Sequence, residues 1–121
     1  MKRILAVDDD PALTEYYKAL LQEAGYEVLI APDATAAMMI FLELKPHLVI
    51  LDAEMPGGGG EQVFMITREI LKSGVPVIFV TGLPERVEPF LRAHGRVRLF
   101  KKPVRSEELL SCVSEMLSFL G

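Results

Sequence analysis

The sequence contains 121 residues, 50% of them hydrophobic, and its formal net charge is -4 at pH 7. This length suits one domain with its own core, so we expect a single domain over residues 1–121, and the apolar share excludes a disordered chain. No apolar run approaches the roughly 20 residues of a membrane span, and scattered basic residues in an acidic chain argue against direct nucleic-acid binding. The single cysteine, Cys112, excludes an internal disulfide and favours a cytoplasmic location.

Short apolar runs, typical of strands, alternate with longer segments of helical spacing. The predicted order is a strand at 3–7, a helix from Asp10-Pro11 to Gly25, a strand at 27–31, a helix from Asp33 to Leu44, a strand at 47–52, a helix at 61–72 ended by Gly74, a strand at 75–80, a helix at 85–94, a strand at 97–100 and a last helix from Ser106. Asp10 and Asp33 are good N-caps. Pro84 and Pro89 predict a short, irregular fourth helix that starts near Pro89.

Repeated strand–helix units predict a doubly wound α/β domain, with a parallel sheet covered by helices on both faces. The runs at 3–7, 47–52 and 75–80 are continuously apolar, as expected of strands buried on both faces. Apolar helix residues such as Met38, Met39 and Phe41 are expected in the core. We expect structural roles for His47 and His94.

Polar residues directly follow four of the predicted strands, where doubly wound sheets bind their ligands. They are Asp8 and Asp9, Asp52, Thr81, and Lys101-Lys102-Pro103. Converging carboxylates need a compensating cation, and an all-oxygen donor set suits Mg2+ or Mn2+. A carboxylate beside such an ion, with a lysine and a hydroxyl nearby, is arranged to accept a phosphoryl group. Each residue alone has an ordinary structural explanation, but their joint placement favours chemistry.

These residues also resemble a family, the response-regulator receiver domain of two-component signalling. The matching motifs are Val7-Asp8-Asp9-Asp10, Leu51-Asp52-x-x-Met55-Pro56, Gly60, Thr81-Gly82 and Lys102-Pro103. The resemblance extends from about Lys2 to Phe119. It implies a flavodoxin-like fold with five parallel strands in the order 2-1-3-4-5.

The resemblance also implies roles for individual residues. Asp52 resembles the phosphoacceptor, and Asp8 and Asp9 resemble Mg2+ ligands, with the backbone carbonyl of Glu54 as a further ligand. Thr81 and Lys102 resemble the switch hydroxyl and the phosphate-pairing lysine. The Lys102-Pro103 peptide bond is expected to be cis.

The family's partners are implied in the same way. The donor is expected to be a phosphohistidine on a sensor histidine kinase or a histidine phosphotransfer domain. The chain would then change conformation to control an output domain or downstream protein, with a homodimer as one option. It would catalyse only its own phosphoryl transfer and dephosphorylation.

Two features depart from the family pattern. The family usually has Tyr or Phe three residues before the lysine, where this chain has Leu99; Phe100 is adjacent, but strand alternation predicts that it points to the opposite face. We therefore expect readout to depend on Thr81 and the loop after it. The run Gly57 to Gly60 lacks the motifs of nucleotide-binding loops, and we interpret it as a mobile loop beside the metal site.

Three other functions are compatible with parts of the pattern. A haloacid-dehalogenase-type phosphatase needs a second Asp two residues after its nucleophile, where this chain has Glu54. A flavodoxin-like electron carrier needs a hydroxyl-rich loop after the first strand, where this chain has aspartates. The third alternative is a receiver that binds partners without being phosphorylated.

Overall fold

The structure, a computed structural model, describes residues 1–55, 59–70 and 72–118. Four residues of the predicted motifs, glycine run and family resemblance lie outside the described residues: Pro56, Gly57, Gly58 and Phe119. The strands are β1 (Arg3–Val7), β2 (Glu27–Ala31), β3 (Leu48–Leu51), β4 (Val77–Thr81) and β5 (Val97–Lys101). The helices are α1 (Pro11–Glu23), α2 (Ala34–Leu44), α3 (Gly60–Met65), α4 (Glu88–Ala93) and α5 (Ser106–Ser118).

The five strands form one parallel sheet in the order β2-β1-β3-β4-β5, which confirms the predicted topology. The register pairs Val7 with Leu51, Leu51 with Phe79, and Thr81 with Lys101. Because these residues stand at or next to the strand ends, the segments that follow β1, β3, β4 and β5 start at one edge of the sheet.

Both faces of the sheet are covered, because alternate strand residues point to opposite sides. Ile4 and Ala6 pack in a cluster with residues of α1 and α5. Leu5 and Val7 pack in a second cluster with residues of α2 and α3. All residues of β3 and β4 are buried, as their continuous apolar character predicted, whereas the edge strands β2 and β5 are partly exposed.

Side chains begin the first two helices as predicted. The Asp10 carboxylate accepts a hydrogen bond from the N–H of Ala12 at 3.0 Å, and the Asp33 carboxylate accepts one from Ala36 at 2.8 Å. These bonds satisfy N–H groups that the first helical turn leaves without backbone partners. Gly25, with φ +98°, takes the left-handed conformation after α1.

The third helix differs from the prediction. The regular helix ends at Met65 and is followed by a π-helical turn from Ile66 to Ile70. The buried Thr67 hydroxyl donates to the Phe64 carbonyl at 2.9 Å, and Arg68 donates to the carbonyl oxygens of Ser73 and Val75, so this segment bonds outside the regular helical ladder. Lys72, rather than Gly74, adopts a positive φ of 55° there.

The fourth helix is short and irregular, as its prolines predicted. A 3-10 turn spans Pro84–Arg86, and α4 begins at Glu88. Val87, between them, is fully buried and fixes the turn against the core. None of the helices in the described parts of the chain is long and apolar enough to cross a membrane.

The expectation that Met39 lies in the core is wrong. Met39 is 58% exposed, whereas Ala37 and Phe41 are buried. Residues four apart share a helix face, so Ala37 and Phe41 together define the buried side of α2. Because α2 is apolar almost all round, its composition does not reveal which side faces the sheet.

Candidate functional site

Backbone hydrogen bonds continue the parallel sheet beyond the ends of its strands. The N–H of Asp8 donates to the Ala31 carbonyl at 3.2 Å, and the N–H of Asp52 donates to the Val7 carbonyl at 3.0 Å. The N–H of Lys102 donates to the Thr81 carbonyl at 2.9 Å. The residues that carry the chemistry are therefore fixed by the sheet itself rather than by free loops.

The structure brings Asp8, Asp9 and Asp52 together, as the sequence predicted. Each offers a carboxylate oxygen, and these oxygens all lie within 4.8 Å of one another. Asp8 is 2% exposed and Asp52 is 5% exposed, whereas Asp9 is exposed. The burial follows from position, because Asp8 and Asp52 directly follow two buried strands.

Lys102 pairs with both buried acids. Its Nζ lies 2.8 Å from Oδ2 of Asp8 and 3.2 Å from Oδ2 of Asp52. The Lys102-Pro103 peptide bond is cis, as expected. Within the described residues, Lys102 is the cation that pairs with these acids, so one positive charge faces three negative ones.

Burial and neighbouring charges shift the pKa values of Asp8 and Lys102. Burial raises the pKa of the Asp8 carboxyl above its ordinary value of 3.8, although Lys102 and the N–H of Asp10 act in the opposite direction. Burial alone would lower the pKa of Lys102, but its hydrogen bonds and its attraction to Asp8 and Asp52 outweigh that effect and raise the pKa. Lys102 is therefore charged at neutral pH.

The three acids fit a hard divalent cation. Two like charges about 4 Å apart repel by about 4 kcal/mol at an effective dielectric constant of 20. Lys102 leaves two negative charges uncompensated, and the available donors are carboxylate oxygens, the ligands that Mg2+ prefers. The charge and the chemistry of the donor set therefore both match a divalent ion.

Backbone N–H groups orient the two buried carboxylates. The N–H of Glu54 donates to Oδ1 of Asp52 at 3.2 Å, and the N–H of Asp10 donates to Oδ1 of Asp8 at 2.9 Å. In each case a donor two residues later fixes one carboxylate oxygen. The other oxygen, Oδ2, faces Lys102.

Thr81 lies at the same edge of the sheet. Its side chain is fully buried, and its Oγ1 accepts a hydrogen bond from the N–H of Leu83 at 3.1 Å. The hydroxyl is thereby linked to the loop that leads into the 3-10 turn at Pro84–Arg86.

The alternation predicted for β5 is confirmed. Leu99 packs with the cluster that includes α2 and α3, and Phe100 packs with the cluster that includes α1 and α5. Phe100 therefore does not replace an aromatic side chain on the face of Leu99, which is the face opposite α1 and α5.

Close packing explains the two described glycines of the glycine run. A Cβ on Gly60 would lie 2.0 Å from the Asp52 carbonyl oxygen, and one on Gly59 would lie 2.4 Å from that of Ala53. Neither position leaves room for a side chain, so the close approach of the backbone to Ala53 and Asp52 accounts for glycine at Gly59 and Gly60. Gly57 and Gly58 lie outside the described residues.

Arg86 is a residue of this site that no sequence motif indicated. Its Nη2 lies 2.7 Å from Oε1 of Glu61, and its Nη1 lies 3.9 Å from Oε2 of Glu54. Glu54 lies in the loop after β3, Glu61 in the first turn of α3, and Arg86 in the 3-10 turn after β4. Nothing in the local sequence signals the pairing, because the partners are far apart along the chain.

Tyr17 lies on the buried side of α1. Its ring is buried, but its hydroxyl has no hydrogen-bond partner among the described residues. Burial raises the pKa of this hydroxyl, and the charges of Asp8 and Asp52 raise it further. The hydroxyl is therefore neutral, and it lies close enough to the acids for their charges to affect its pKa.

Fold and site together define a class: a doubly wound five-stranded domain whose carboxyl edge gathers three acids, a lysine and a threonine is a receiver-type signalling domain. The family model described as "Response regulator receiver domain" matches residues 4–114. The chain belongs to the response regulator receiver family, as its motifs predicted.

Individual relatives agree with this assignment. Protein PilH of Pseudomonas aeruginosa is 35% identical over 125 residues, covering 98% of this chain and 99% of PilH. The DNA-binding response regulator MtrA of Mycolicibacterium smegmatis is 34% identical over 117 residues, covering 96% of this chain and 50% of MtrA. The chain thus spans about half the length of the MtrA relatives that it matches.

A solved structure is similar at the level of the whole domain. The response regulator TrrA of Thermotoga maritima, in complex with Mg(2+)-BeF, is 34% identical with a TM-score of 0.83. The alignment covers 96% of this chain and 99% of TrrA.

Membership of the receiver family also argues against the two alternatives from other families, the haloacid-dehalogenase-type phosphatase and the flavodoxin-like electron carrier.

Proposed function

We propose that this receiver domain accepts a phosphoryl group on Asp52 from a phosphohistidine donor, on a sensor histidine kinase or a histidine phosphotransfer domain. The observation that carries the proposal is the placement of Asp52. Its carboxylate is almost completely buried, contacts Lys102, and lies within 4.8 Å of carboxylate oxygens of Asp8 and Asp9. Three acids at such short range repel one another, and a bound cation would offset that repulsion.

In the proposed reaction a carboxylate oxygen of Asp52 forms a bond to phosphorus as the phosphorus–nitrogen bond to the donor imidazole breaks. The product on Asp52 is an acyl phosphate. The N–H of Glu54 keeps the carboxylate oriented, and the Lys102 ammonium offsets the negative charge of the transferring group. Transfer is then mainly a matter of positioning and charge compensation.

Asp8, Asp9, Asp52 and the backbone carbonyl of Glu54 are the proposed ligands of Mg2+, and Mn2+ would suit the same oxygen donors. When bound, the ion supplies positive charge that the lone Lys102 cannot supply. Burial of Asp8 serves this role, because a carboxylate with a raised pKa gains more from a divalent neighbour than a solvated one.

Thr81 is the proposed switch residue. Its hydroxyl would donate to a phosphoryl oxygen on Asp52, and its present acceptor contact with Leu83 links it to the next loop. Leu99 offers no ring or hydroxyl to follow that movement, so the loop after Thr81 is the proposed route of the signal.

The remaining proposals follow from this role. Residues 1–121 act as one cytoplasmic receiver unit that catalyses only its own phosphoryl transfer and dephosphorylation. The output is a separate domain or protein, the receiver itself does not contact nucleic acid or membrane, and a homodimer is one way to transmit the signal.

The test compares the native chain with Asp52→Asn. We expect acetyl phosphate with Mg2+ to add one phosphoryl group to the native chain, detected by intact mass, and to add none to the variant. Mg2+ removal with EDTA should abolish the reaction. Equal labelling of both proteins would refute Asp52 as acceptor, and no labelling of the native chain, together with no response to beryllofluoride, would favour a receiver that works without phosphorylation.

A further inference from the structure

Two loops flank the proposed acceptor, and Arg86 joins them. Arg86 lies in the 3-10 turn that follows Thr81, whereas Glu54 lies in the loop after β3 and Glu61 in the first turn of α3. We propose that Arg86 is a positioning residue: its ion pairs with Glu61 and Glu54 hold the turn after Thr81 in the unphosphorylated position and are released when Asp52 is phosphorylated. The inference rests on the proposed function and adds a residue that regulates its output.

Both ends of this connection are tied to the site. On one side, the N–H of Glu54 donates to the Asp52 carboxylate. On the other, the N–H of Leu83 donates to the Thr81 hydroxyl at 3.1 Å, and the N–H of Arg86 donates to the Leu83 carbonyl at 3.2 Å. A movement of the Thr81 side chain therefore reaches the backbone of Arg86 through two hydrogen bonds.

The contact between Arg86 and Glu61 is chiefly a charge–charge contact. The two atoms are 2.7 Å apart, yet Oε1 of Glu61 is buried and has no aligned hydrogen-bond donor in the described part of the chain. Glu54 adds a weaker attraction at 3.9 Å. Such a contact restrains position through attraction and lengthens without breaking a directed bond, which suits a connection that must open.

The surrounding packing leaves room for this guanidinium. Its Nη2 lies 3.9 Å from the point that a Cβ of Gly59 would occupy, and that Cβ would itself collide with the Ala53 carbonyl. The backbone of Gly59 therefore packs closely on the Ala53 carbonyl, next to the guanidinium. Val87, fully buried beside it, anchors the turn, so the restraint acts on a defined backbone segment.

The restraint matters because the unphosphorylated and phosphorylated states require different positions of this turn. If Thr81 is drawn toward a phosphoryl oxygen, the turn must follow Thr81 or lose the hydrogen bond from Leu83. The ion pairs of Arg86 oppose that shift and thus favour the unphosphorylated state. Because Leu99 replaces the family's aromatic residue, this turn transmits the change in the phosphorylation of Asp52.

The experiment measures amide hydrogen exchange of Arg86 and Val87, each corrected for the intrinsic rate of its own sequence. We expect Arg86→Ala and Glu61→Gln each to accelerate this exchange roughly two- to fivefold at low salt, the range that follows from the stabilisation expected of a partly exposed ion pair. Arg86→Lys should restore part of the protection. Arg98→Ala, which removes the more exposed pair of Arg98 with Glu115 at 3.6 Å, is the control and should leave the exchange of Arg86 and Val87 unchanged.

Experiments with salt and beryllofluoride distinguish an electrostatic restraint that is released on phosphorylation from a contact that stays the same in both states. In the native chain, about 1 M NaCl should move the exchange part of the way toward that of Arg86→Ala, because the screening length falls to about 3 Å, close to the 2.7 Å separation of the pair. Beryllofluoride with Mg2+ should accelerate exchange in the native chain but add little in Arg86→Ala.

The two proposals can fail separately. If Arg86→Ala behaves like Arg98→Ala at every salt concentration while the native chain still responds to beryllofluoride, the restraint is refuted and the acceptor function stands. If beryllofluoride changes nothing around Asp52 in the native chain, the acceptor function itself fails.

Discussion

Replacing Tyr17 by phenylalanine should stabilise the domain. Tyr17 is 1% exposed, and its hydroxyl is buried without a partner among the described residues. A buried polar group without a hydrogen bond costs about 1–3 kcal/mol, and phenylalanine removes the hydroxyl while keeping the ring in place. We take the lower end of that range, because the cavity left by one oxygen offsets part of the gain.

The expected increase in the free energy of unfolding is therefore about 1 kcal/mol. For a domain of this size it corresponds to a rise in Tm of about 3–5 °C. Urea and thermal unfolding, followed by circular dichroism without divalent ions, measure both quantities.

Tyr16 provides the matched control, because it is the neighbouring tyrosine on the same helix and is 42% exposed. Tyr16→Phe should change the free energy of unfolding by less than about 0.5 kcal/mol. If Tyr17→Phe instead destabilises the domain by about 1 kcal/mol, the size of an ordinary hydrogen bond, the hydroxyl has a partner and the reasoning is refuted.

Two further predictions follow from the structure. Gly60→Ala should destabilise the domain by about 1–3 kcal/mol in urea unfolding, because the added Cβ collides with the Asp52 carbonyl. Gly95→Ala is the control, because the space around Gly95 is open. Equal losses of stability in both variants would contradict the role of packing at Gly60. In an NMR titration His47 should show a pKa below 6.5, lowered by burial and then by the charges of Lys2 and Arg3. The folded state then binds a proton on His47 more weakly than the unfolded chain does. The contribution of neutral His47 to stability is therefore complete above pH 6.5 and is lost as the pH falls through the folded pKa. A titration midpoint of His47 above 6.5 would contradict this direction.

Much of the fold could be predicted because its signals are local. The continuous apolar runs of β1, β3 and β4 reflect burial on both faces, and the N-caps Asp10 and Asp33 bond to N–H groups two or three residues away. The topology rules of parallel sheets then place the residues after the strands at one edge. For that reason the meeting of Asp8, Asp9, Asp52 and Lys102 was predicted and is confirmed by their distances.

Local signals were insufficient where a residue's partner comes from elsewhere in the chain. The π-helical turn at Ile66–Ile70 includes Arg68, whose side chain bonds carbonyl oxygens as distant as Gly95 and Arg96, so no local propensity indicates where α3 ends. The exposure of Met39 depends on which side of an almost uniformly apolar helix meets the sheet.

The sequence by itself determined the order of strands and helices, the edge at which the chemistry lies and the residue types gathered there. These features depend on periodicity, capping and the fixed handedness of βαβ units, all of which act over short stretches of chain. Only the tertiary structure decided that Gly59 and Gly60 are required by backbone contacts, that Arg86 connects the segments after β3 and β4, and that the Tyr17 hydroxyl lacks a hydrogen-bond partner within the described residues. Those features depend on ångström-scale distances between segments, which come into existence when the helices pack on the sheet.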